Sequence, residues 1–485
     1  MRYLTVNEVT VIFLKSLVQS AEDFLGRKVQ GAVIAIPTWF DENAKNAVTA
    51  AATEAGVEVL QLIDEKSAAA LVSVSLPSAK VEADRTSLVV DLGQNTLTLS
   101  LLSIRHGLIY SIASSEDHNV GGEQIDEKLV KFFAKEFTKK TKTPLQVCPA
   151  TEAADKRAEA KFRLAVEHTK RTISASPGAA TCAVESLKDG LDFSGTINRM
   201  RFDMEARSVY DGVTSAAIKL LNSVDLEPLH VDEIIYAGSS TALPGLDNTF
   251  FAKGFPESVV TPFNAGTAVG GPGDPTTIIA RGCVLQAKVL TSISAENHML
   301  RDAFQPTSEH LQTSVTTKTI GLILPEAVSD SEGTTNSLGG QWIPGVPKDT
   351  PTPYRRIVQF DCDLGEGEGQ SVGLEVWEVD ESVKVEKVKP VKKDAEAEEE
   401  EEDDSDSDSD EEEQEEEIRE KQITKSNLIG SFSVVSKHAQ SQNGRRKTRL
   451  EVHFVVVQNG NVSVTAFEIS KEGKGEPIVL TVPHL

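Results

Sequence analysis

The hydrophobic pattern of this chain changes once, near residue 295, and that change limits what the chain can fold into. Before about Leu290, apolar strand-like runs alternate with amphipathic helical stretches, which predicts an α/β domain with mixed strand directions. After about Ala295, short stretches alternate apolar and polar residues between Gly, Asn and Pro, which predicts an antiparallel β domain. We therefore expect an α/β domain at 1–295, a linker at 296–316 and a β domain at 317–485.

Each domain carries patterns for individual elements. Strands of the first domain are predicted at Val29–Ile36, Val57–Ile63, Ser87–Asp91, Leu97–Ile104 and Glu233–Ala237. Its helices are predicted from close to Met1 as far as Phe24, at Asp41–Ala55, from Glu65 onward, and at Glu123–Lys140, Thr151–Ile173 and Thr276–Val289. Strands of the second domain are predicted at Lys318–Leu324, Arg355–Phe360, Val372–Val379, Ser431–Val435, Leu450–Val457 and Val462–Ile469.

The negative charge of the chain is concentrated in one segment. Asp394–Glu417 contains 18 acidic residues and no basic residue, and removing them from the net charge of −25 leaves −7. We expect a disordered acidic loop at about 390–420 within the β domain. Its Ser405–Asp410 alternation suits an acidophilic kinase, although a purely solubilising segment explains the composition as well. A surface of this charge argues against direct binding of nucleic acid.

Cysteine spacing and hydropathy exclude further classes of protein. Four cysteines lie far apart without a C-x-x-C pair, which argues against a disulfide scaffold or a zinc knuckle and favours free thiols. No apolar run has the length of a membrane span, and Asn7, Glu8 and Lys15 do not suit a signal peptide. The sequence therefore predicts a cytoplasmic protein without membrane contact.

Three short turns have compositions that suit a phosphate-binding site. They contain Asp91, Gly93 and Thr96; Gly121, Gly122 and Glu123; and Gly238, Ser239 and Ser240. Glycine lets backbone N–H groups approach an anion, a helix start adds a favourable dipole, and an aspartate can hold a metal ion through water. Tight turns with structural glycines are the alternative explanation, and each motif by itself is weak.

A fourth set lies on one face of a predicted helix. Glu167, Lys170, Arg171 and Ser174 are three or four residues apart. They could form an adenosine site in which Glu and Ser bond the sugar or base and the cationic side chains flank the ring. A solvated, salt-bridged helix face is the more common meaning of such a set.

The order of these motifs is more specific than any one of them. The series runs Ile34-Ala35-Ile36-Pro37-Thr38, Ile63-Asp64-Glu65-Lys66-Ser67-Ala68-Ala69-Ala70, Asp91-Leu92-Gly93, Val120-Gly121-Gly122-Glu123, Thr169-Lys170-Arg171-Thr172-Ile173-Ser174, Gly238-Ser239-Ser240-Thr241. It resembles the ATPase domain of the heat-shock protein 70 family, which has an actin-like fold, and the β domain is similar to that family's substrate-binding β-sandwich. The resemblance covers nearly the whole chain and implies ATP as a bound ligand, with Mg²⁺ as a further candidate.

Several positions depart from the family's pattern. The sequence starts at Met1 in the helix that follows the family's first phosphate loop and catalytic lysine, so we expect an ATPase domain that is incomplete at its N-terminus, and the helical lid is not found. Gln94 and Asn95 replace glycines and Thr98 replaces an aspartate, which crowds the phosphate space. Lys66 takes the place of the family's coupling proline. The resemblance therefore implies a chain that keeps the adenosine-binding positions, lacks the residues for phosphate chemistry, and binds ATP without hydrolysing it.

These departures are similar to those of the atypical fungal branch of the family that pairs with the J-domain protein zuotin on ribosomes. The resemblance implies a non-enzymatic subunit whose partners are a zuotin-like J-domain protein, the ribosome and a second, active heat-shock 70 chaperone. A nucleotide-exchange factor of the heat-shock 110 class is one alternative, because that class also carries an acidic loop in its β domain. An active ATP-dependent foldase is the other.

Overall fold

The computed structural model describes residues 3–77, 80–175, 178–243, 245–294, 296–298, 304, 313–324, 338–364, 371–388, 416–442, 445–470 and 473–482. The chain divides into two compact units. The first is Met1–Ser314 with Asp349–Pro351, and the second is Val315–Lys348 with Thr352–Leu485. Each unit is described by itself below.

The first unit is an α/β unit. Its helices are α1 (Val6–Leu25), α2 (Glu42–Glu54), α3 (Glu65–Ser75), α4 (Gly122–Thr141), α5 (Ala153–Ala175), α6 (Arg199–Asn222), α7 (Gly245–Ala252) and α8 (Ile278–Ser292). Its strands are β1 (Gly31–Ile36), β2 (Glu58–Asp64), β3 (Asp84–Leu92), β4 (Leu97–Arg105), β5 (Leu108–Asp117), β6 (Ala179–Lys188), β7 (Leu191–Asn198) and β8 (Glu233–Ala237).

Mixed strand directions define the main sheet of this unit. Its order is β5-β4-β3-β8, with β3 antiparallel to β4 and parallel to β8. All five residues of β8 are buried, as expected for a strand covered on both faces. The predicted hairpin and the predicted mixture of directions are confirmed.

Helices α4 and α5 pack on the antiparallel pair of strands β6 and β7 through apolar residues at helical spacing. On α4 these are Ile125, Leu129, Phe133 and Phe137, all fully buried. Phe162 of α5 stacks on Phe133 with ring centroids 6.5 Å apart. These residues share one hydrophobic core with Val90 of β3 and Ile234 of β8, and this core joins α4 and α5 to the main sheet.

A second, two-stranded sheet pairs β1 with β2 in parallel. Strand β2 leads directly into α3, because Asp64 is the N-cap residue and accepts a hydrogen bond from the N–H of Ser67 at 2.7 Å. Ala68, Ala69 and Ala70 are fully buried. This cap places Glu65 at the first position of α3.

The second unit consists of antiparallel strands. They are β9 (Thr319–Leu324), β10 (Gln341–Val346), β11 (Tyr354–Asp363), β12 (Ser371–Val388), β13 (Glu416–Val435), β14 (Gln440–Gln442), β15 (Arg445–Val456), β16 (Val462–Ser470), β17 (Gly473–Lys474) and β18 (Ile478–Val482). One sheet has the order β10-β9-β12-β13; in the other, β11-β15-β16 are neighbours, β14 pairs with β15, and β17 and β18 pair with β16. Leu322 and Leu374 share a core with Val452 and Phe454, so the two sheets pack face to face as a sandwich.

The structure corrects one prediction in this unit. The acidic loop expected at about 390–420 is wrong at its C-terminal end, because β13 begins at Glu416 and pairs there with Val388 of β12. The backbone pairing of a long hairpin overrides the charge pattern at these positions. The rest of the predicted loop, with Ser405–Asp410, and most of the predicted linker lie outside the described residues.

Two expectations about the whole chain can be checked in the described residues. Cys148, Cys182, Cys283 and Cys362 are all free, as expected. Among the described helices, none is both long enough and apolar enough to cross a membrane.

Candidate functional site

The candidate site lies where β3 and β8 end side by side. Asp91 and Ala237 are paired residues of these parallel strands, so the turns that follow them leave the same edge of the sheet. Gly238 has a φ of +83°, and a Cβ atom there would lie 2.4 Å from the carbonyl oxygen of Leu92. Glycine is required because this turn passes directly against the end of β3. Two turns that were predicted separately are thus neighbours.

The third predicted turn packs against the turn that joins β3 to β4. The N–H groups of Gly122 and Glu123 donate to the carbonyl oxygens of Gly93 and Gln94, at 3.0 and 2.8 Å. A Cβ atom on Gly121 would lie 2.3 Å from the carbonyl oxygen of Gln94. The glycine pair therefore allows two protein turns to pack together. The N–H groups that were expected to face an anion donate to carbonyl oxygens instead.

Ser240 links all three turns. Its Oγ donates to the carbonyl oxygen of Gly93 at 3.1 Å, and it fills the space beside Gly122, where a Cβ atom would lie 2.5 Å away. Thr96 closes the first turn, since its carbonyl oxygen accepts the N–H of Gly93 at 2.9 Å.

A cavity of about 360 Å³ opens beside these turns, within the size range of small-molecule sites. The predicted residues that line it are Gly122, Glu167, Lys170, Arg171, Ser174, Ser239 and Ser240. The whole predicted set from α5 therefore reaches one cavity, together with two of the three turns. Asp91, Gly93, Thr96, Gly121, Glu123 and Gly238 are not among its lining residues.

Further lining residues were missed by the sequence interpretation. They are Ile125, Ala242, Leu243 and Thr276. Apolar residues of this kind carry no motif, because their spacing indicates only a buried helix face or a loop. Ile125, Ala242 and Leu243 add apolar lining to the polar residues from α5, and a mixed lining of this kind suits a flat heterocyclic ring with a polar edge.

Charges along α5 are paired within the site. Lys170 Nζ lies 2.7 Å from Asp126 Oδ1 and 3.0 Å from Glu167 Oε2, and Arg171 Nε lies 2.8 Å from Glu167 Oε1. Partial burial by itself would raise the pKa of Glu167, but the hydrogen bonds from Arg171 and Lys170 outweigh it and the pKa lies below its usual value. Glu167 therefore faces the cavity as an ionised acceptor.

Gln94 makes a contact that the sequence did not reveal. Its Nε2 donates to Glu123 Oε2 at 2.9 Å and to Asp126 Oδ2 at 2.8 Å. Glu123 also accepts from Arg163, and these hydrogen bonds lower its pKa against the opposite effect of burial. The Gln94 side chain thus connects the β3–β4 turn to α4.

Two further carboxyl groups lie near the turns. Burial raises the pKa of Asp91 to about 6. Burial, with the nearby charges of Asp91, Asp64 and Glu116, raises the pKa of Glu65 to about 7. Glu65 was not among the predicted site residues, although it opens α3 directly after β2.

The described residues contain no group of three or more His, Cys, Asp or Glu side chains arranged to hold a metal ion. Mg²⁺ at this site would therefore depend on Asp91 and on oxygens of a ligand. The Mg²⁺ expectation stays a prediction.

Comparisons with known proteins agree with this architecture. The family model described as "Hsp70 protein" matches residues 2–324. The chain is similar to "Heat shock protein 70 homolog C57A7.12" of Schizosaccharomyces pombe, at 33% identity over 81% of this chain and 64% of the relative. It is also similar to "Ribosome-associated complex subunit SSZ1" of Saccharomyces cerevisiae, at 30% identity over 81% of this chain and 66% of the relative. The matched region thus spans less than two thirds of either relative.

Proposed function

We propose, from the premise that this chain belongs to the heat-shock protein 70 family, that it is a chaperone subunit that binds an adenine nucleotide without hydrolysing it. In this proposal the chain scaffolds a zuotin-like J-domain protein on cytoplasmic ribosomes. The pair then stimulates a second, active heat-shock 70 chaperone during co-translational folding. The actin-like domain at 1–295 carries the nucleotide, and the β-sandwich at 317–485 follows the linker.

The cavity fits the adenosine part of the nucleotide. Glu167 and Ser174 offer acceptor and hydroxyl groups to the sugar or the base edge, and the side chains of Lys170 and Arg171 flank the ring. Ile125 and Leu243 supply apolar contact for the ring faces. A ligand held in this way stabilises the folded unit by mass action, which is a structural role.

One observation supports the proposal that the chain does not hydrolyse ATP. At the turn where the resemblance implies that the phosphates would bind, Gln94 Nε2 donates to both Glu123 and Asp126. The N–H groups of Gly122 and Glu123 donate to carbonyl oxygens as well. Phosphoryl transfer is catalysed almost entirely by positioning and by charge stabilisation of the phosphates. A site whose donors are already used within the protein supports binding better than catalysis.

Support for the partners comes from similarity alone. The name of one relative states that it is a subunit of a ribosome-associated complex. We extend this to a ribosome-bound role for the present chain, with a J-domain protein as its stable partner.

Sucrose-gradient fractionation of native extract tests this proposal, with the proteins that accompany the chain identified by mass spectrometry. We expect the chain in ribosomal fractions in a salt-stable complex with a J-domain protein. Recovery only in light fractions, bound to other heat-shock chaperones, would contradict the scaffold role and favour nucleotide exchange on those chaperones.

A further inference from the structure

We propose that Gln94 makes this cavity a site for the nucleoside part of its ligand, to which the phosphates add no affinity. The inference rests on the adenosine site of the proposed function and states which ligands that site distinguishes. Gln94 is then a specificity-determining residue, since it sets how much of a nucleotide the protein recognises.

The first supporting observation is that backbone N–H groups at the start of α4 already donate hydrogen bonds within the protein. Gly122 and Glu123 are the first residues of α4, where free N–H groups would normally attract an anion. Here both N–H groups donate to carbonyl oxygens, those of Gly93 and Gln94. The dipole of α4 is thereby directed at neutral protein oxygens and not at a phosphate group.

The second step is the position of the Gln94 side chain. Its Nε2 donates to carboxylate oxygens of Glu123 and Asp126, and its Oε1 fills the space beside Gly122, 3.0 Å from where a Cβ atom would lie. A phosphate that entered here would have to displace the amide from two charged acceptors. Each such hydrogen bond contributes more than one between neutral groups.

The third step is charge. A displaced Gln94 would leave the carboxylates of Glu123 and Asp126 facing the polyphosphate. The cationic side chains beside these carboxylates already form ion pairs. Arg163 pairs with Glu123 and Glu159, and Lys170 pairs with Asp126 and Glu167. Repulsion between like charges in a partly buried site opposes the phosphates further. The adenosine residues on α5, by contrast, reach the cavity without any rearrangement.

Equilibrium binding of adenosine, AMP, ADP and ATP to the full chain, each with and without Mg²⁺, tests the inference. We expect the four dissociation constants to agree within about threefold and to be insensitive to Mg²⁺. Replacing Gln94 by glycine removes the side chain that fills the phosphate space. Because Gln94→Gly alone leaves the carboxylates of Glu123 and Asp126 facing that space, we combine it with Glu123→Gln and expect the double variant to tighten ATP by roughly tenfold relative to adenosine.

A second variant separates the two ends of the site. Ser174→Ala removes a cavity hydroxyl on α5, so it should weaken adenosine and ATP by the same factor. The melting temperature of each variant reports whether it is folded.

Two results would overturn the inference, and they differ in meaning. Binding of ATP about tenfold or more tighter than adenosine by the unmodified chain contradicts the role of Gln94 but leaves the adenosine site intact. Failure of both ligands to bind removes the adenosine site itself, and the inference with it. The ribosome-scaffold role is decided separately by the gradient experiment.

Discussion

Lys170 Nζ lies 2.7 Å from Asp126 Oδ1, and both side chains are only 10% exposed. This pair joins α5 to α4 at the cavity, so it holds two sides of the candidate site together. Removing one partner of a buried ion pair leaves a desolvated charge without compensation.

Asp126→Ala should therefore destabilise the first unit. We expect a loss of about 2–4 kcal/mol in the free energy of unfolding. The lower part of this range applies if Glu167, the second ion-pair partner of Lys170, compensates part of the loss. Urea unfolding followed by circular dichroism measures it. Glu127→Ala, on the same helix in an exposed pair with Lys131, is the matched control and should change stability by less than about 0.5 kcal/mol. Equal losses for both variants would show that the buried pair has no special role.

A buried hydrogen-bond network around Glu233, the first residue of β8, provides a second test of stability. Glu233 accepts from Arg85 Nε and Ser87 Oγ, both at 2.8 Å, and from Ser73 Oγ at 2.5 Å. Glu233→Ala would leave the Arg85 guanidinium buried without its carboxylate, so we expect a loss of about 3–5 kcal/mol by the same urea measurement. The exposed Glu257 replaced by alanine is the control, with an expected change below about 0.5 kcal/mol. A loss from Glu233→Ala no larger than that of the control would contradict the assignment.

The raised pKa of Glu65 predicts that the stability of the first unit depends on pH. Because the folded state raises this pKa from 4.5 to about 7, the folded unit binds the proton more tightly than the unfolded chain. Stability is therefore lost as pH rises from about 4.5 to about 7. Glu65→Gln removes this loss, so it should raise the melting temperature at about pH 8, by roughly 2–4 °C, and have no such effect at about pH 4.5.

The control for this experiment is the exposed Glu58 of β2. Glu58→Gln should give the same melting-temperature difference at both pH values. A stabilisation by Glu65→Gln that does not depend on pH would show that ionisation of Glu65 is not its cause.

The lowered pKa of Glu451 predicts that the stability of the β-sandwich depends on pH with the opposite sign. Hydrogen bonds from Lys474, His453 and Gln359 lower its pKa from 4.5 to about 2. Its contribution is therefore complete above about pH 4.5 and is lost as pH falls toward about 2. Glu451→Gln should lower the melting temperature at about pH 7 by roughly 2–5 °C, and this difference should shrink as the buffer is acidified.

The control lies on the same sheet. Asp361, whose side chain is 69% exposed, is 3.7 Å from Arg449, and Asp361→Asn should change the melting temperature by less than about 1 °C. If the effect of Glu451→Gln were unchanged at low pH, the hydrogen-bonded carboxylate would not be its source.

Apolar runs and periodicity predicted many of the elements, but not all of them. Strand Glu233–Ala237 was predicted to the residue, because the run Ile234-Ile235-Tyr236-Ala237 between turns allows few other structures. Helix α6 received no prediction, although Phe202, Ala206 and Val209 are buried at helical spacing.

Tertiary contacts explain what the pattern could not provide. Strand β10 was missed because Pro344 and Gly345 indicate a loop. In the folded chain this glycine packs on Phe454, where a Cβ atom would lie 2.4 Å from the ring. The contact of Gln94 with Asp126 spans 32 positions along the chain. Nothing in the sequence predicts that these two side chains meet, so only the fold reveals that Gln94 is hydrogen-bonded to α4.

A single-turnover ATP hydrolysis assay tests the central claim, binding without turnover, most directly. The full chain is loaded with radiolabelled ATP, and phosphate release is followed with and without a J-domain protein. We predict retention of ATP and phosphate release no faster than in buffer, with no stimulation by the J-domain protein. Phosphate release that depends on the chain and is accelerated by the J-domain protein would contradict the account and identify an active ATPase.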